Sequence, residues 1–225
     1  MRLMALAALF LPMLAAPAAA EQAPAAPSPA VAPPLTPENT WHLDLSTGGR
    51  VSIQLRPDVA PLSVERIKTL TRRGFYNGLA FHRVIEGFMA QGGDPKGDGT
   101  GGSDLPDLKA EFNVLPHMRG TVAMARADNP DSANSQFFIM LLPKFSLDHN
   151  YTAFGRVVSG MNFVDAIEKG EPPANPSRII QASIGADNRP PPPPGAVASP
   201  PATVSADVPA LPSKPPVPAT TDQPK

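Results

Sequence analysis

The prolines of this 225-residue chain are distributed so unevenly that they divide it into parts that can fold and parts that cannot. Of 31 prolines, thirteen lie in residues 190–225, six in 21–37 and two in 1–20, which leaves ten for the 152 residues between. The proline-rich ends hold too few apolar side chains to offset the entropy of ordering, so we expect both to be disordered. The middle has ordinary proline content and is long enough for one domain.

The first twenty residues have the pattern of a cleavable secretory signal. Arg2 gives a positive start, residues 3–14 form an almost wholly apolar run, and Ala18–Ala20 have the small-residue form of a signal-peptidase site. An uncleaved membrane anchor is the alternative, but the run is too short for a span and is interrupted by Pro12 and Pro17. We therefore expect export to the periplasm, with secretion from the cell as the alternative.

The sequence thus divides into four segments. We predict a signal peptide over residues 1–20, an Ala/Pro-rich disordered linker over 21–40, a folded domain over 41–185 and a Pro-rich disordered tail over 186–225. The tails are either inert or act as spacers, wall tethers or docking ligands.

Alternating polar and apolar residues indicate that the folded segment is mainly β. Residues 42–45 and 51–55 alternate on either side of a Gly-Gly turn, which predicts a β-hairpin. Apolar spacing predicts a helix that begins near Pro61 and ends before Gly74, and a second helix over 162–169 closed by a left-handed Gly170. With six more short β-like runs, at 81–85, 88–91, 121–125, 137–141, 152–158 and 178–184, the pattern favours a closed or nearly closed antiparallel sheet with helices at its ends.

The available residues exclude several chemistries. The absence of Cys rules out disulfides, thiolate nucleophiles and Cys zinc sites, and 19 basic against 20 acidic residues disfavour nucleic acid as a partner. Residues 97–102 satisfy the GxGxxG pattern, but Ser103–Pro106 cannot open a helix behind it. A calcium loop fails because Lys96 and Leu105 stand where acidic ligands are needed, and the four histidines are scattered. We expect no metal and no cofactor.

The run Phe81–Asp94 resembles the signature of the cyclophilins, which are peptidyl-prolyl cis-trans isomerases. Further family motifs follow in the family's order, at Gly99–Gly102, Met124–Ala127, Ser135–Ile139, Leu147-Asp148 and Phe154–Val157. The resemblance extends from about Trp41 to Ile184. It implies a mainly β fold, an eight-stranded antiparallel β-barrel capped by two α-helices.

The resemblance also implies the site. It assigns Arg83 as the catalytic guanidinium, with Gln91 beside it to orient it by hydrogen bonding. The implied substrate-binding positions are Phe88, Met89, Ala125, Arg126, Phe138, Leu147 and Tyr151.

Three positions depart from the family pattern. Ser146 stands where members with strong cyclosporin affinity carry Trp, so we expect weak cyclosporin binding. Arg126 replaces a frequent Asn, a change we expect to be tolerated. Tyr151 stands where the family often has His, and we favour it over the nearby His149 as the pocket residue.

These features predict an isomerase that accelerates X-Pro bond rotation in exported or unfolding proteins. The alternative is a non-catalytic chaperone or scaffold that binds proline through the same groove; a weaker hypothesis is that the Pro-rich tails visit the pocket. We expect proline-containing peptides and unfolded exported proteins as partners, no membrane span after signal cleavage, and a monomer.

Overall fold

The computed structural model describes residues 32–193 and 195–197, and eight antiparallel strands and two helices lie within them. The strands are β1 (Thr40–Leu45), β2 (Gly49–Leu55), β3 (Arg83–Ile85), β4 (Met89–Gly92), β5 (Thr121–Met124), β6 (Phe137–Met140), β7 (Ala153–Ser159) and β8 (Ile179–Ile184). The helices are α1 (Pro61–Arg72) and α2 (Met161–Asp165). Each strand lies within two residues of its predicted bounds, which confirms the mainly β fold.

The strands form one sheet in the order β3-β4-β6-β5-β7-β2-β1-β8. The sheet curls until its two ends meet, because the segment before β3 bonds to the segment that enters β8. The N–H of Phe81 donates to the carbonyl of Ser177 at 2.9 Å, and the N–H of Gly78 donates to that of Ile179 at 2.7 Å. The bond to Ile179 covers part of the edge strand β8, which would otherwise present unpaired backbone groups.

The barrel is filled by an aromatic cluster around Trp41, which is fully buried on β1. Its ring meets Tyr76 and Phe137 edge to face, at centroid distances of 5.4 and 4.9 Å. Burying these large rings supplies much of the hydrophobic stabilisation of the domain, and the edge-to-face geometry adds to it.

Helix α1 packs its buried face on the barrel and ends as predicted, with Gly74 following at a φ of +71°. Its first turn has no capping side chain of its own, because Ala60 stands at the N-cap. The carboxylate of Glu111 takes that place and accepts the N–H groups of Leu62 and Ser63, each at 2.8 Å. A distant loop therefore caps the helix.

The prediction for the second helix was wrong in its extent. Helix α2 ends at Asp165, not at residue 169, and Gly170 does not cap it. Gly170 instead exchanges two backbone hydrogen bonds with Val84, at 2.8 and 2.9 Å, and has a φ of +145°, far from the ~57° of a left-handed cap. Pairing with β3 draws this segment out of the helix.

Both predicted disordered segments have ends that pack on the domain. Residues 37–39 form a 3-10 turn, and Glu38 in it pairs with Lys68 and Arg72 of α1. At the other end, Arg50 donates to the carbonyl of Arg189 at 3.2 Å. The predicted signal peptide, most of the predicted linker and most of the predicted tail lie outside the described residues, so the division into four segments stays a prediction. None of the described helices has the length and apolar character needed to span a bilayer.

Candidate active site

Four neighbouring strands, β3, β4, β6 and β5, form the platform of the site. Arg83 is paired with Gln91, Gln91 with Phe138, and Phe138 with Ala123, so these residues form one row across the sheet. Cross-strand partners point to the same face. Since successive residues alternate, Phe137 enters the core while Phe138 joins a separate cluster with Met89, Ala123 and Met140 on the other face.

Beside this row lies an open cavity of about 260 Å³. The structure brings together every residue that the sequence assigned to the site, because the cavity is lined by Arg83, Phe88, Met89, Gln91, Ala125, Arg126, Phe138, Leu147 and Tyr151. Hydrophobic residues form most of its lining and Arg83 stands at its polar side. This combination of an apolar cavity and a few convergent polar groups is typical of a ligand site.

The floor of the cavity is rigidly packed. Met89 and Phe138 are 2% and 5% exposed. The Phe138 ring meets Tyr151 edge to face at 5.7 Å and stacks on His117 at 6.2 Å. A floor fixed on both sides can hold a flat apolar ring without first paying to order its own side chains.

The wall that carries Leu147 is fixed by hydrogen bonds between Asp148 and the buried His117. Asp148 accepts the backbone N–H and the ring Nδ1 of His117, both at 2.8 Å, with His117 almost fully buried. Although partial burial acts to raise it, the pKa of Asp148 is lowered by these hydrogen bonds and by the charge of His117. His117 therefore has a structural role in this wall, and no spacing in the sequence indicated Asp148 as its partner.

The polar side of the cavity differs from the prediction in how Arg83 is held. Gln91 does not bond to Arg83; its amide donates to Gln136 at 2.9 Å. Gln136 in turn donates to the carbonyls of Gly99 and Gly101, so Gln91 supports the glycine-rich loop. The guanidinium Nε of Arg83 donates instead to Glu171 at 2.6 Å, a residue that sequence reasoning missed.

The rim of the cavity is formed by Arg126 and Tyr151. The guanidinium of Arg126 lies 4.6 Å from the centroid of the Tyr151 ring, and its Nη2 donates to the carbonyl of Asn150 at 3.0 Å. Tyr151 lines the cavity and His149 does not. Ser146 is exposed on the 3-10 turn Phe145–Leu147.

The glycine-rich loop borders a second, more polar cavity of about 500 Å³ that shares Gln91, Ala125 and Arg126 with the first. Asp94 organises this loop by accepting the N–H groups of Lys96, Asp98 and Gly99. No helix follows the GxGxxG pattern in the described chain, and no group of three or more His, Asp or Glu side chains suited to a metal ion occurs among the described residues.

Comparison with known proteins agrees with this geometry. Residues 42–184 match the family model of cyclophilin type peptidyl-prolyl cis-trans isomerases. A probable peptidyl-prolyl cis-trans isomerase of Brucella suis biovar 1 is 53% identical over 169 residues, which cover 68% of this chain and 86% of the relative. Peptidyl-prolyl cis-trans isomerase B of Bacillus subtilis is 40% identical over 133 residues, which cover 59% of this chain and 92% of the relative.

Two solved structures are similar in fold. A cyclophilin from Hirschia baltica gives a TM-score of 0.63 at 28% identity, over 68% of this chain and 76% of that chain. A cyclophilin type isomerase of Cryptosporidium parvum, crystallised in the presence of the dipeptide Ala-Pro, gives a TM-score of 0.61 at 27% identity. The match covers 64% of this chain and 98% of that chain. With the family model matched over most of the folded domain, this chain belongs to the cyclophilin-type peptidyl-prolyl cis-trans isomerases.

Proposed function

We propose that this isomerase accelerates X-Pro rotation through a hydrogen bond from the Arg83 guanidinium to the imide nitrogen, while the apolar cavity holds the proline ring. The observation that supports this most directly is the position of Arg83 at the edge of the same cavity whose floor is formed by Met89 and Phe138. A proline ring on that floor would lie in the same cavity as the Arg83 guanidinium.

Rotation about the X-Pro bond requires little beyond this hydrogen bond and a grip on the proline ring. Rotation about an X-Pro bond is slow because amide resonance opposes it, with a barrier of about 18–20 kcal/mol. In the twisted state the nitrogen regains its lone pair and becomes a hydrogen-bond acceptor, which it is not in the planar state. A donor aimed at that nitrogen therefore stabilises the transition state more than the ground state.

An arginine suits this role because its guanidinium stays protonated across the physiological pH range and offers several donors in a fixed plane. Only the Nε of Arg83 is engaged by another side chain in the part of the chain described here. Its two terminal nitrogens are thus available to a substrate. No covalent intermediate, metal or cofactor is needed for the rotation.

The mechanism is tested by measuring turnover of a proline-containing peptide with the wild type, Arg83→Ala and Arg83→Lys. Losing one preorganised donor is expected to lower kcat by about 10²- to 10³-fold, and Lys is expected to recover only part of it. Arg156→Ala is the matched control, since Arg156 is exposed on β7 and lines neither cavity. Turnover in Arg83→Ala equal to that of the control would refute the mechanism.

We further propose that its clients are exported proteins that fold in the periplasm. The support is the signal-like run over residues 1–20. Cell fractionation with mass measurement of the mature N-terminus tests this, and cleavage after Ala20 with recovery in the periplasmic fraction is expected. An uncleaved protein retained in the cytoplasm would contradict it.

A further inference from the structure

The partner of Arg83 comes from a loop that no motif of the sequence singled out. Glu171 accepts the Nε of Arg83 at 2.6 Å, across 88 residues of sequence. Both side chains are partly exposed, at 42% for Arg83 and 50% for Glu171. An isolated ion pair this exposed contributes little to stability, because the entropy cost of ordering two long side chains offsets most of the Coulomb attraction. The contact gains importance only if the backbone holds the two groups together.

The backbone does hold them. The loop over residues 170–177 is tied at both ends to the segment that carries Arg83. At one end Gly170 exchanges two hydrogen bonds with Val84, and at the other the carbonyl of Ser177 accepts the N–H of Phe81. Arg83 lies between those two anchor points. Much of the ordering cost of the ion pair is therefore met by the fold.

The anchor at Gly170 also has a steric requirement. A Cβ added at this residue would lie 2.6 Å from the Cα of Pro173, and the φ of +145° is one that side chains with a Cβ rarely adopt. Pro172 and Pro173 fix their own φ angles and stiffen the chain directly after Glu171. The carboxylate is thus presented by a short, constrained segment.

Glu171 does not line the proline cavity. It lies instead in an adjoining groove that it shares with Arg83, His82 and Pro172. By engaging only Nε, it fixes the plane of the guanidinium and leaves the two terminal nitrogens for the imide nitrogen. A bond to a terminal nitrogen would instead compete with the substrate.

From this arrangement we infer that Glu171 is a positioning residue, which holds the Arg83 guanidinium in the orientation that the twisted X-Pro bond requires. The inference rests on the proposed role of Arg83. A residue acting this way lowers kcat when it is removed and leaves KM unchanged, because the cavity that binds the proline ring is untouched.

The test compares Glu171→Ala and Glu171→Gln with the control Glu168→Ala. Glu168 is an exposed acid three residues earlier, so its replacement removes the same charge. Glu171→Ala is expected to lower kcat by about two- to fivefold, the range of an ordered surface ion pair, with KM within the error of the wild type. Glu171→Gln keeps an acceptor oxygen, so its kcat is expected to fall less than that of Glu171→Ala. Glu168→Ala is expected to match the wild type.

A second measurement reads the positioning directly. The Nε–H signal of Arg83, assigned by its loss in Arg83→Ala, is expected to shift in the NMR spectrum of Glu171→Ala and to stay in place in Glu168→Ala. In the Arg83→Ala background, adding Glu171→Ala is expected to change the residual turnover no further, since its effect passes through Arg83.

The outcomes separate the two claims. If wild-type turnover does not depend on Arg83, the proposed mechanism fails, and this inference fails with it. If turnover depends on Arg83 but Glu171→Ala equals Glu168→Ala in kcat and in the Nε–H signal, only the positioning role is overturned. A change in KM instead of kcat also overturns it, because it would mean that Glu171 touches the substrate.

Discussion

Replacing Arg126 with Asn is expected to weaken the binding of a proline-containing peptide about fivefold. The residue contacts two sides of the cavity. On its own side, Nη1 donates to the carbonyls of Ala127 and Asp128 at 2.8 and 3.1 Å. On the opposite side, Nη2 donates to Asn150 at 3.0 Å and the guanidinium lies 4.6 Å from the Tyr151 ring centroid. Only the second pair of contacts joins the two walls.

The size of the effect follows from those two contacts. A cation–π contact at an exposed site contributes about 0.5–1 kcal/mol. A hydrogen bond to a carbonyl contributes a net ~0.5–1.5 kcal/mol. Because Arg126 is only half-buried, we use the lower ends, which sum to about 1 kcal/mol. Without these contacts the peptide has to order the rim as it binds, and an added cost of that size lowers the affinity about fivefold. Asn is too short to reach the Asn150 carbonyl and the Tyr151 ring, so both contacts are lost together.

The assay is titration of a labelled peptide, with kcat measured in parallel. We expect Kd to rise about fivefold and kcat to change less than about twofold, since Arg83 is untouched. Arg126→Lys keeps a charge near Tyr151, so its Kd is expected to lie between those of the wild type and Arg126→Asn. The control is Arg156→Asn, which removes the same charge from an exposed site. A Kd for Arg126→Asn within error of that control would refute the reasoning.

Three further predictions concern stability, each measured by chemical unfolding followed through the single, buried Trp41. Glu111→Ala leaves the first turn of α1 uncapped and is expected to cost about 1–2 kcal/mol, while a loss below about 0.3 kcal/mol would contradict the capping role. Burial, reinforced by the charge of Arg83, lowers the pKa of His82; because the unfolded chain takes up this proton first, stability should fall as pH drops below about 6.5, and His82→Leu should flatten that slope. Because the pKa of Asp148 is lowered in the fold, its carboxylate contributes stability above the ordinary Asp pKa near ~3.9, and this contribution is lost as the pH falls further. Asp148→Asn should remove this acid-dependent part of the stability.

The strands and α1 were predictable because their signals are local. Alternation over a few residues located each strand. It also implies that the adjacent Phe137 and Phe138 point to opposite faces, as they do in the structure. The nine candidate site residues could be assigned because the family's motifs lie within short runs of sequence. The cavity that they line in common confirms that they meet, although the role of each is still a proposal.

The partners of those residues were not predictable, because each acts across a long sequence distance. Glu171 bonds to Arg83 over 88 residues, Glu111 caps α1 over 48 and Asp148 bonds to His117 over 31. No periodicity or spacing links such pairs. The same limit explains the error at α2, where a helical pattern was overridden by the backbone pairing of Gly170 with β3.

The central claim, that Arg83 stabilises the twisted X-Pro bond, is tested most directly by NMR exchange on a peptide with resolved cis and trans proline signals. One titration reports both binding and interconversion, so it separates an enzyme from a protein that only binds proline. With Arg83→Ala, the peptide is expected to bind with little change while exchange between its two signals slows by about 10²-fold or more. Undiminished exchange in that variant would contradict the claim, and so would an absence of exchange in the wild type.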